Sequence, residues 1–254
     1  MELVWLGWSL AFLAVWCLVL AGLKDRGSRH EMLVVSAWTS LLALTEPLFV
    51  PRYWNPPSLF GLAQSTGFDV ESFIFCWSIG GLAVVLYELL VPVRHEPVGR
   101  GSRTHAFHPV ALVVTPVSFA VLDLATGLNP IYGALLAFAL GSALVVASRP
   151  DLLRKMLVSA FVFLGLYSAY FFTLIVAVPG YVQRVWDLRV LSGASVLGIP
   201  LEELAFAFAF GFFWSGIYEY ALSLRLRQKA GGGTLLAHLA ADLRQAAGRG
   251  ARPG

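Results

Sequence analysis

The chain has 254 residues, of which 58% are hydrophobic and only 13% carry a charge. An ordinary soluble domain has roughly 25% charged residues, so the composition excludes the soluble enzyme classes. The formal net charge of +3 does not indicate nucleic-acid binding, because the basic residues gather in separate loops and form no stripe interleaved with aromatic side chains. The sequence therefore predicts an integral membrane protein.

Seven apolar runs, each long enough to approach or cross a bilayer as a helix, follow one another along the chain. They occupy residues 2–23, 31–50, 71–91, 109–125, 130–147, 153–178 and 200–222. The first run lacks the basic start and the cleavage site of a signal peptide, so we expect it to be a span. With the N-terminus outside, 15 basic residues fall on the opposite side and three on its own. The positive-inside rule then predicts a multi-pass protein of the plasma or inner membrane with a cytoplasmic C-terminus.

The third and seventh runs are similar at an offset of 131 residues, which predicts an internal repeat. The alignment pairs Glu71 with Glu202, Phe75 with Phe206, and Gly80 with Gly211. We therefore expect an all-α protein in which two parallel three-helix repeats are joined by a linker helix. The predicted units are a first repeat (1–95), a cytoplasmic loop and linker helix (96–128), a second repeat (129–224) and a flexible cytoplasmic tail (225–254).

Carboxylates inside the apolar runs are the first candidates for chemistry, because an ionisable side chain in a membrane needs a partner or must stay protonated. Glu71, Glu202 and Glu203 lie at helix starts, where the helix dipole also favours a negative charge. Glu46 lies in the second run, beside Pro47 and without a nearby base. Neutral acids in such positions could donate protons.

Two further glutamates lie near the predicted cytoplasmic face. Glu88 and Glu219 are 17 residues beyond Glu71 and Glu202 in their helices. Since no Lys or Arg lies well inside a run, we expect Glu88 and Glu219 to pair with loop arginines such as Arg94 or Arg225.

Aromatic side chains gather at the predicted outer ends of the runs, in part as an interfacial belt. Phe75 and Phe206 lie one helical turn from Glu71 and Glu202 on the same helix face. An acid beside an aromatic face suits carbocation chemistry, because the acid protonates an alkene and the ring stabilises the cation. The predicted substrate-binding residues are Phe75, Phe206, Glu46, Trp186 and Tyr53.

The sequence predicts neither a metal site nor a cofactor. His105 and His108 are three residues apart, but no cysteine or acid pair accompanies them. The chain has no Walker loop, Rossmann fingerprint or nucleophile elbow. The seventh run contains no lysine, which excludes a retinal Schiff base.

The stretch Pro-Leu-Glu-Glu-Leu-Ala-Phe at 200–206, its counterpart Asp-Val-Glu-Ser-Phe-Ile-Phe at 69–75, and the loop with Trp186 resemble the membrane-integral lycopene cyclase family. The resemblance covers roughly residues 1–225 and implies a fused form of two three-helix halves. It also implies a lycopene β-cyclase-like isomerase that forms carotenoid rings without a cofactor or net redox change. The family's acidic motif maps onto Glu202, Glu203 and Glu71, whereas Ser72 stands where a second glutamate is expected.

From this resemblance we expect Glu202 to protonate the end of a linear polyene and Glu203 or Glu71 to remove the ring proton. The substrate should arrive from the surrounding membrane lipids between the third and seventh helices. Two alternatives stay open, namely a small-molecule transporter with 3+1+3 parallel repeats and a non-catalytic carotenoid-binding homologue. The sequence leaves open the chain length (C40 or C50), the number and type of rings, and the oligomeric state.

Overall fold

A computed structural model describes residues 3–98 and 110–228, which are mostly helical. The helices are α1 (Val4–Gly22), α2 (Arg26–Ser40), α3 (Glu46–Phe49), α4 (Leu62–Thr66), α5 (Val70–Leu90), α6 (Val110–Ala125), α7 (Pro130–Ser148), α8 (Leu153–Ala177), α9 (Tyr181–Val185), α10 (Leu201–Trp214) and α11 (Ile217–Leu222). A 3-10 turn (Leu41–Thr45) joins α2 to α3, and another (Pro150–Leu152) precedes α8. The strands are β1 (Val93–Pro97), β2 (Ser195–Val196), β3 (Ile199–Pro200) and β4 (Leu224–Gln228); β1 pairs antiparallel with β4 and β2 with β3.

Five segments of the described residues are long and apolar enough to cross a membrane. They are Val4–Gly22, Arg26–Phe49, Val70–Leu90, Pro130–Ser148 and Pro150–Ala177. The predicted fourth span corresponds to α6, which is shorter at 16 residues, and the seventh is divided into α10 and α11 at Ser215 and Gly216. A helical membrane fold is therefore confirmed, whereas the seven-span repeat arrangement and the positions of the termini stay predictions.

Several predicted features lie outside the described residues. These are residues 1 and 2, most of the loop before the fourth span including His105 and His108, and the tail beyond residue 228.

Polar caps begin three of the long helices. The side chains of Asp25, Asp69 and Asn129 accept hydrogen bonds from the backbone N–H groups of Ser28, Ser72 and Ile131. Such caps satisfy N–H groups that a helix start leaves without an intrahelical partner. Pro130 follows Asn129 at the first helical position, where its missing N–H costs nothing.

Glycine allows the closest helix contacts in both halves of the bundle. A Cβ atom on Gly80 of α5 would lie 2.0 Å from the Thr39 hydroxyl of α2, and one on Gly211 of α10 would lie 3.0 Å from the Cβ of Phe163 on α8. Small residues let membrane helices approach one another closely. Because Gly80 and Gly211 are paired in the sequence alignment, the last helix of each half packs on the preceding one through an equivalent position.

The two ends of the bundle are built differently. At one end, here called the loop end, the segment around Tyr53 and Trp54 bridges the segment around Trp186 through the hydrogen bonds Asn55 N–Val185 O (2.7 Å) and Asp187 N–Tyr53 O (3.0 Å). The opposite end, here called the strand end, carries the β1–β4 pair.

Candidate functional site

A cavity of about 820 Å³ runs through the helical bundle. Its wall is formed almost entirely by apolar and aromatic side chains from α1, α2, α5–α8, α10 and α11. On the last helical segments the wall extends from Glu203 to Leu222, a length of about 28 Å at the helical rise. All five predicted substrate-binding residues lie in this wall: Tyr53, Phe75, Trp186, Phe206 and Glu46.

Glu203 is the cavity carboxylate with the most hydrogen-bond donors. One oxygen accepts hydrogen bonds from the Tyr53 hydroxyl and from Trp186 Nε1 (2.8 Å), and the other accepts one from the Tyr167 hydroxyl (2.5 Å). The side chain is buried, with 5% of its residue surface exposed. No cation among the described residues forms an ion pair with it. Glu203 is therefore a desolvated carboxyl group held by neutral donors alone.

Tyr53 is one of these neutral donors. Burial, followed by the negative charge of Glu203, raises the pKa of Tyr53 well above its ordinary value. The phenol therefore keeps its proton and can donate a hydrogen bond to Glu203 at any physiological pH. Trp186, the other donor from the loop end, has no titratable proton to lose.

Tyr167 on α8 was missed by the sequence reasoning, although a signal was present. A tyrosine in the middle of an apolar helix carries a hydroxyl group that needs a partner. Tyr167 also lies between the two predicted aromatic residues, with its ring centroid 6.4 Å from that of Phe75 and 6.2 Å from that of Phe206. The carboxyl group of Glu203 and three aromatic faces therefore meet at one place in the cavity.

Glu202 faces away from this cavity wall. Its carboxylate accepts hydrogen bonds from the Ser192 backbone N–H (2.7 Å) and the Tyr132 hydroxyl (2.8 Å). Glu71 is oriented in the same way in the first half, where it accepts one from the Leu59 N–H (2.7 Å). Neither residue belongs to the cavity wall. The expected proton donor Glu202 and its counterpart Glu71 therefore bind the loops that precede their helices. Of the three predicted catalytic residues, only Glu203 lies in the cavity wall.

Glu46, at the start of α3, is the second carboxyl group of the cavity wall. It is buried, lies beside Ser72 and Trp54, and has one oxygen without a hydrogen-bond partner. No cation among the residues of the described ranges forms an ion pair with Glu46. The cavity therefore presents two carboxyl groups, one from each half of the chain.

Part of the cavity wall is exposed at the surface of the described residues. Only four wall residues are exposed: Trp38 (68%), Leu41, Pro116 and Leu222 (53%). They belong to α2 and its following turn, α6 and α11. Wall residues from α5 and α10 are buried or half-buried. The exposed part of the wall therefore belongs to the second, fourth and seventh segments, and the arrival of the substrate between the third and seventh stays a prediction.

The strand end holds a second, different group of carboxylates. Lys155 of α8 contacts Glu31 (2.9 Å), Glu88 (2.8 Å) and Glu219 (2.6 Å), and the His95 ring lies 3.0 Å from Glu219. The prediction that Glu88 and Glu219 pair with Arg94 or Arg225 is wrong, and Arg225 instead contacts Glu96 (3.4 Å). Lys155 is the third residue of α8 and so lies at the end of its run, yet it is almost fully buried, where helix packing brings the three carboxylates to it.

His95 extends this ion cluster to strand β1. Burial opposes a charge on its ring, but hydrogen bonds and charge interactions with Glu219 and Glu31 prevail and raise the pKa of His95 to about 10. Ligand atoms of Glu31, Glu88, His95 and Glu219 lie within 4.8 Å of one another, a spacing that could suit a metal ion. The ammonium group of Lys155 already contacts all three carboxylates, so the cluster is an ion-pair network as it stands.

The fold and the cavity define a helical membrane protein that holds buried carboxyl groups within an aromatic site. Residues 129–221 match the family described as lycopene cyclase, which is the family that the sequence resemblance indicates. The matched range contains α7, α8, α10 and Glu203. It supports a carotenoid cyclase activity in general, with a carotenoid substrate in a membrane environment. No curated protein and no solved structure matches the chain.

Proposed function

We propose that the protein closes a ring at the end of a linear carotenoid in the cavity, by proton donation from Glu203. The observation that carries the proposal is the environment of this residue. Glu203 is buried in an apolar wall, beside aromatic faces, and held by three neutral hydrogen-bond donors. This differs from the expectation that Glu202 is the donor, because the carboxylate of Glu202 is bound to a loop N–H and to Tyr132.

The reaction is an isomerisation in which one proton is added and one is removed. The carboxyl group of Glu203 protonates the terminal double bond of the polyene, which leaves a tertiary carbocation. The neighbouring double bond attacks this cation, so that a carbon–carbon bond closes the ring and the positive charge moves to a ring carbon. Loss of a proton to a carboxylate restores a double bond. No electrons are exchanged with another molecule, so no redox cofactor is required.

Each neighbour of Glu203 has a role in this sequence. Tyr53, Tyr167 and Trp186 stabilise the carboxylate that proton donation leaves, because each can donate a hydrogen bond to it. The faces of Phe75 and Phe206, which flank Tyr167, stabilise the carbocation through their quadrupoles. The dry wall protects the cation from water, which would otherwise add to it and give an alcohol.

Expression in cells that accumulate lycopene tests the proposal. We expect a cyclic carotenoid with the same mass as the acyclic substrate, and its ring type identifies a β- or ε-cyclase. The absence of a cyclic product, with the protein present in the membrane, would refute the activity. Co-purification of an unaltered linear carotenoid would then favour the non-catalytic binding alternative.

A further inference from the structure

The two halves of the chain differ at one cavity position. The offset of 131 residues that pairs Glu71 with Glu202 also pairs Ser72 with Glu203. The structure gives each pair a common environment: Glu71 and Glu202 accept hydrogen bonds from loop N–H groups, whereas Ser72 and Glu203 both lie in the cavity wall. The first half thus has a hydroxyl group where the second has a carboxyl group.

A carboxyl group from another helix lies next to this hydroxyl group. Glu46 is in the same wall and beside Ser72, and one of its oxygens has no hydrogen-bond partner. The Ser72 hydroxyl is buried in the same wall. A buried carboxyl group that no cation neutralises is costly to keep in an apolar wall, so its presence there points to a task in the cavity.

Two tryptophan rings connect Glu46 to Glu203. Trp54 lies beside Glu46, its ring centroid is 5.4 Å from that of Trp186, and Trp186 donates a hydrogen bond to Glu203. Each carboxyl group therefore has one ring of the same aromatic pair as its neighbour. Ring closure adds a proton at one carbon and removes a proton from another, so two separate carboxyl groups suit its geometry.

We propose that Glu46 is the proton acceptor of the reaction and supplies the carboxylate that position 72 lacks. This assignment rests on the proposed function. Glu46 begins as a carboxylate, takes the proton that leaves the ring cation, and becomes a neutral acid while the new double bond forms. It then releases this proton, while Glu203 takes up another before the next turnover. The ring carbon that faces Glu46 determines which double bond the product contains.

Moving the carboxyl group between the two positions tests the proposal. We expect Glu46→Gln to lower the cyclisation rate about a hundredfold while the protein still binds linear carotenoid. The double variant Glu46→Gln, Ser72→Glu should cyclise at least about tenfold faster than Glu46→Gln alone. Glu96→Gln, the same change in an ion pair at the strand end, is the matched control and should leave the rate unchanged. Absorbance of the co-purified carotenoid and the amount of protein in the membrane show whether each variant folds.

The outcomes separate this inference from the proposed function. A wild-type protein that forms no ring refutes the proposed function itself. An active wild type with Glu46→Gln within threefold of its rate overturns only the role of Glu46. If Glu46→Gln loses most of its cyclisation rate and the folded double variant recovers none of it, a carboxyl group at position 72 cannot replace the one at position 46, which also contradicts the proposal.

Discussion

The molecule keeps buried carboxylates at both ends of its helical bundle but surrounds them with different partners. At the strand end Glu31, Glu88 and Glu219 contact the ammonium group of Lys155, and His95 adds a second basic group. At the loop end Glu203 has only neutral donors. A carboxylate paired with a cation links the helices that carry the two charges. A carboxyl group with neutral neighbours can exist in both protonation states, as a proton donor must.

The most direct way to break this comparison is to remove the carboxyl group of Glu203. Glu203→Gln keeps the size of the side chain and one acceptor oxygen, which can still bind Tyr53 and Trp186, but it cannot supply an acidic proton. Because a positioned general acid contributes about 10²–10⁴ in rate, we expect a loss of cyclised product of that order. Pigment analysis of cells with equal protein levels measures it, and Glu96→Gln serves as the control. A variant that cyclises at more than a tenth of the wild-type rate would contradict the assignment.

Removing the cation at the strand end should instead affect stability. Lys155→Met leaves three buried carboxylates without their shared ammonium group, and breaking a buried ion pair costs about 3–5 kcal/mol. We expect early thermal unfolding in detergent, whereas Arg154→Met on the exposed neighbouring position should unfold like the wild type. Adding Glu88→Gln should recover part of the loss, because it removes one of the uncompensated charges. Equal unfolding temperatures for Lys155→Met and the wild type would mean that the ion pairs contribute nothing.

The charge on His95 sharpens the comparison through its pH dependence. Its pKa is raised from 6.5 to about 10 in the folded protein. The imidazolium therefore contributes its full stability below about pH 6.5, and this contribution is lost as the pH rises towards 10. We expect the unfolding temperature to fall by several degrees over this range. His95→Gln should make the unfolding temperature less dependent on pH. His30→Gln, at an exposed position of α2, should leave the pH dependence of the wild type unchanged. The same pH dependence in His95→Gln as in the wild type would contradict the ion pairing.

The sequence predicted the wall of the cavity better than its chemistry. Continuous apolar runs identify membrane helices, and aromatic residues near the run ends identified Tyr53, Phe75, Trp186 and Phe206, all of which lie in the wall. Successive residues on a helix are about 100° apart, so only one of two adjacent glutamates can face the cavity. The sequence could not decide which one does, because that depends on how α10 is rotated against α8.

The ion cluster was beyond sequence reasoning for a different reason. Lys155 lies 124 residues from Glu31 and 64 from Glu219 along the chain, so these partners are set by helix packing. The repeat alignment paired Glu88 with Glu219 but gave no sign that both point at one ammonium group. A single lysine near the start of an apolar run also fits a lipid-headgroup contact equally well. Only the packing of α2, α5 and α8 against the last helix excludes that interpretation.

The smallest effects should come from Glu202 and Glu71, the carboxylates that bind the loops. Glu202→Gln keeps one acceptor oxygen for the Ser192 N–H and the Tyr132 hydroxyl, and Glu71→Gln keeps one for the Leu59 N–H. We expect each to cost about 1–2 kcal/mol in stability through a weaker hydrogen bond and less than tenfold in cyclisation rate. Product analysis of Glu202→Gln beside Glu203→Gln compares two adjacent residues with the same chemical change. If Glu202→Gln loses the larger share of the rate, the proton donor is Glu202 as the family resemblance implies, and α10 must turn when the substrate binds.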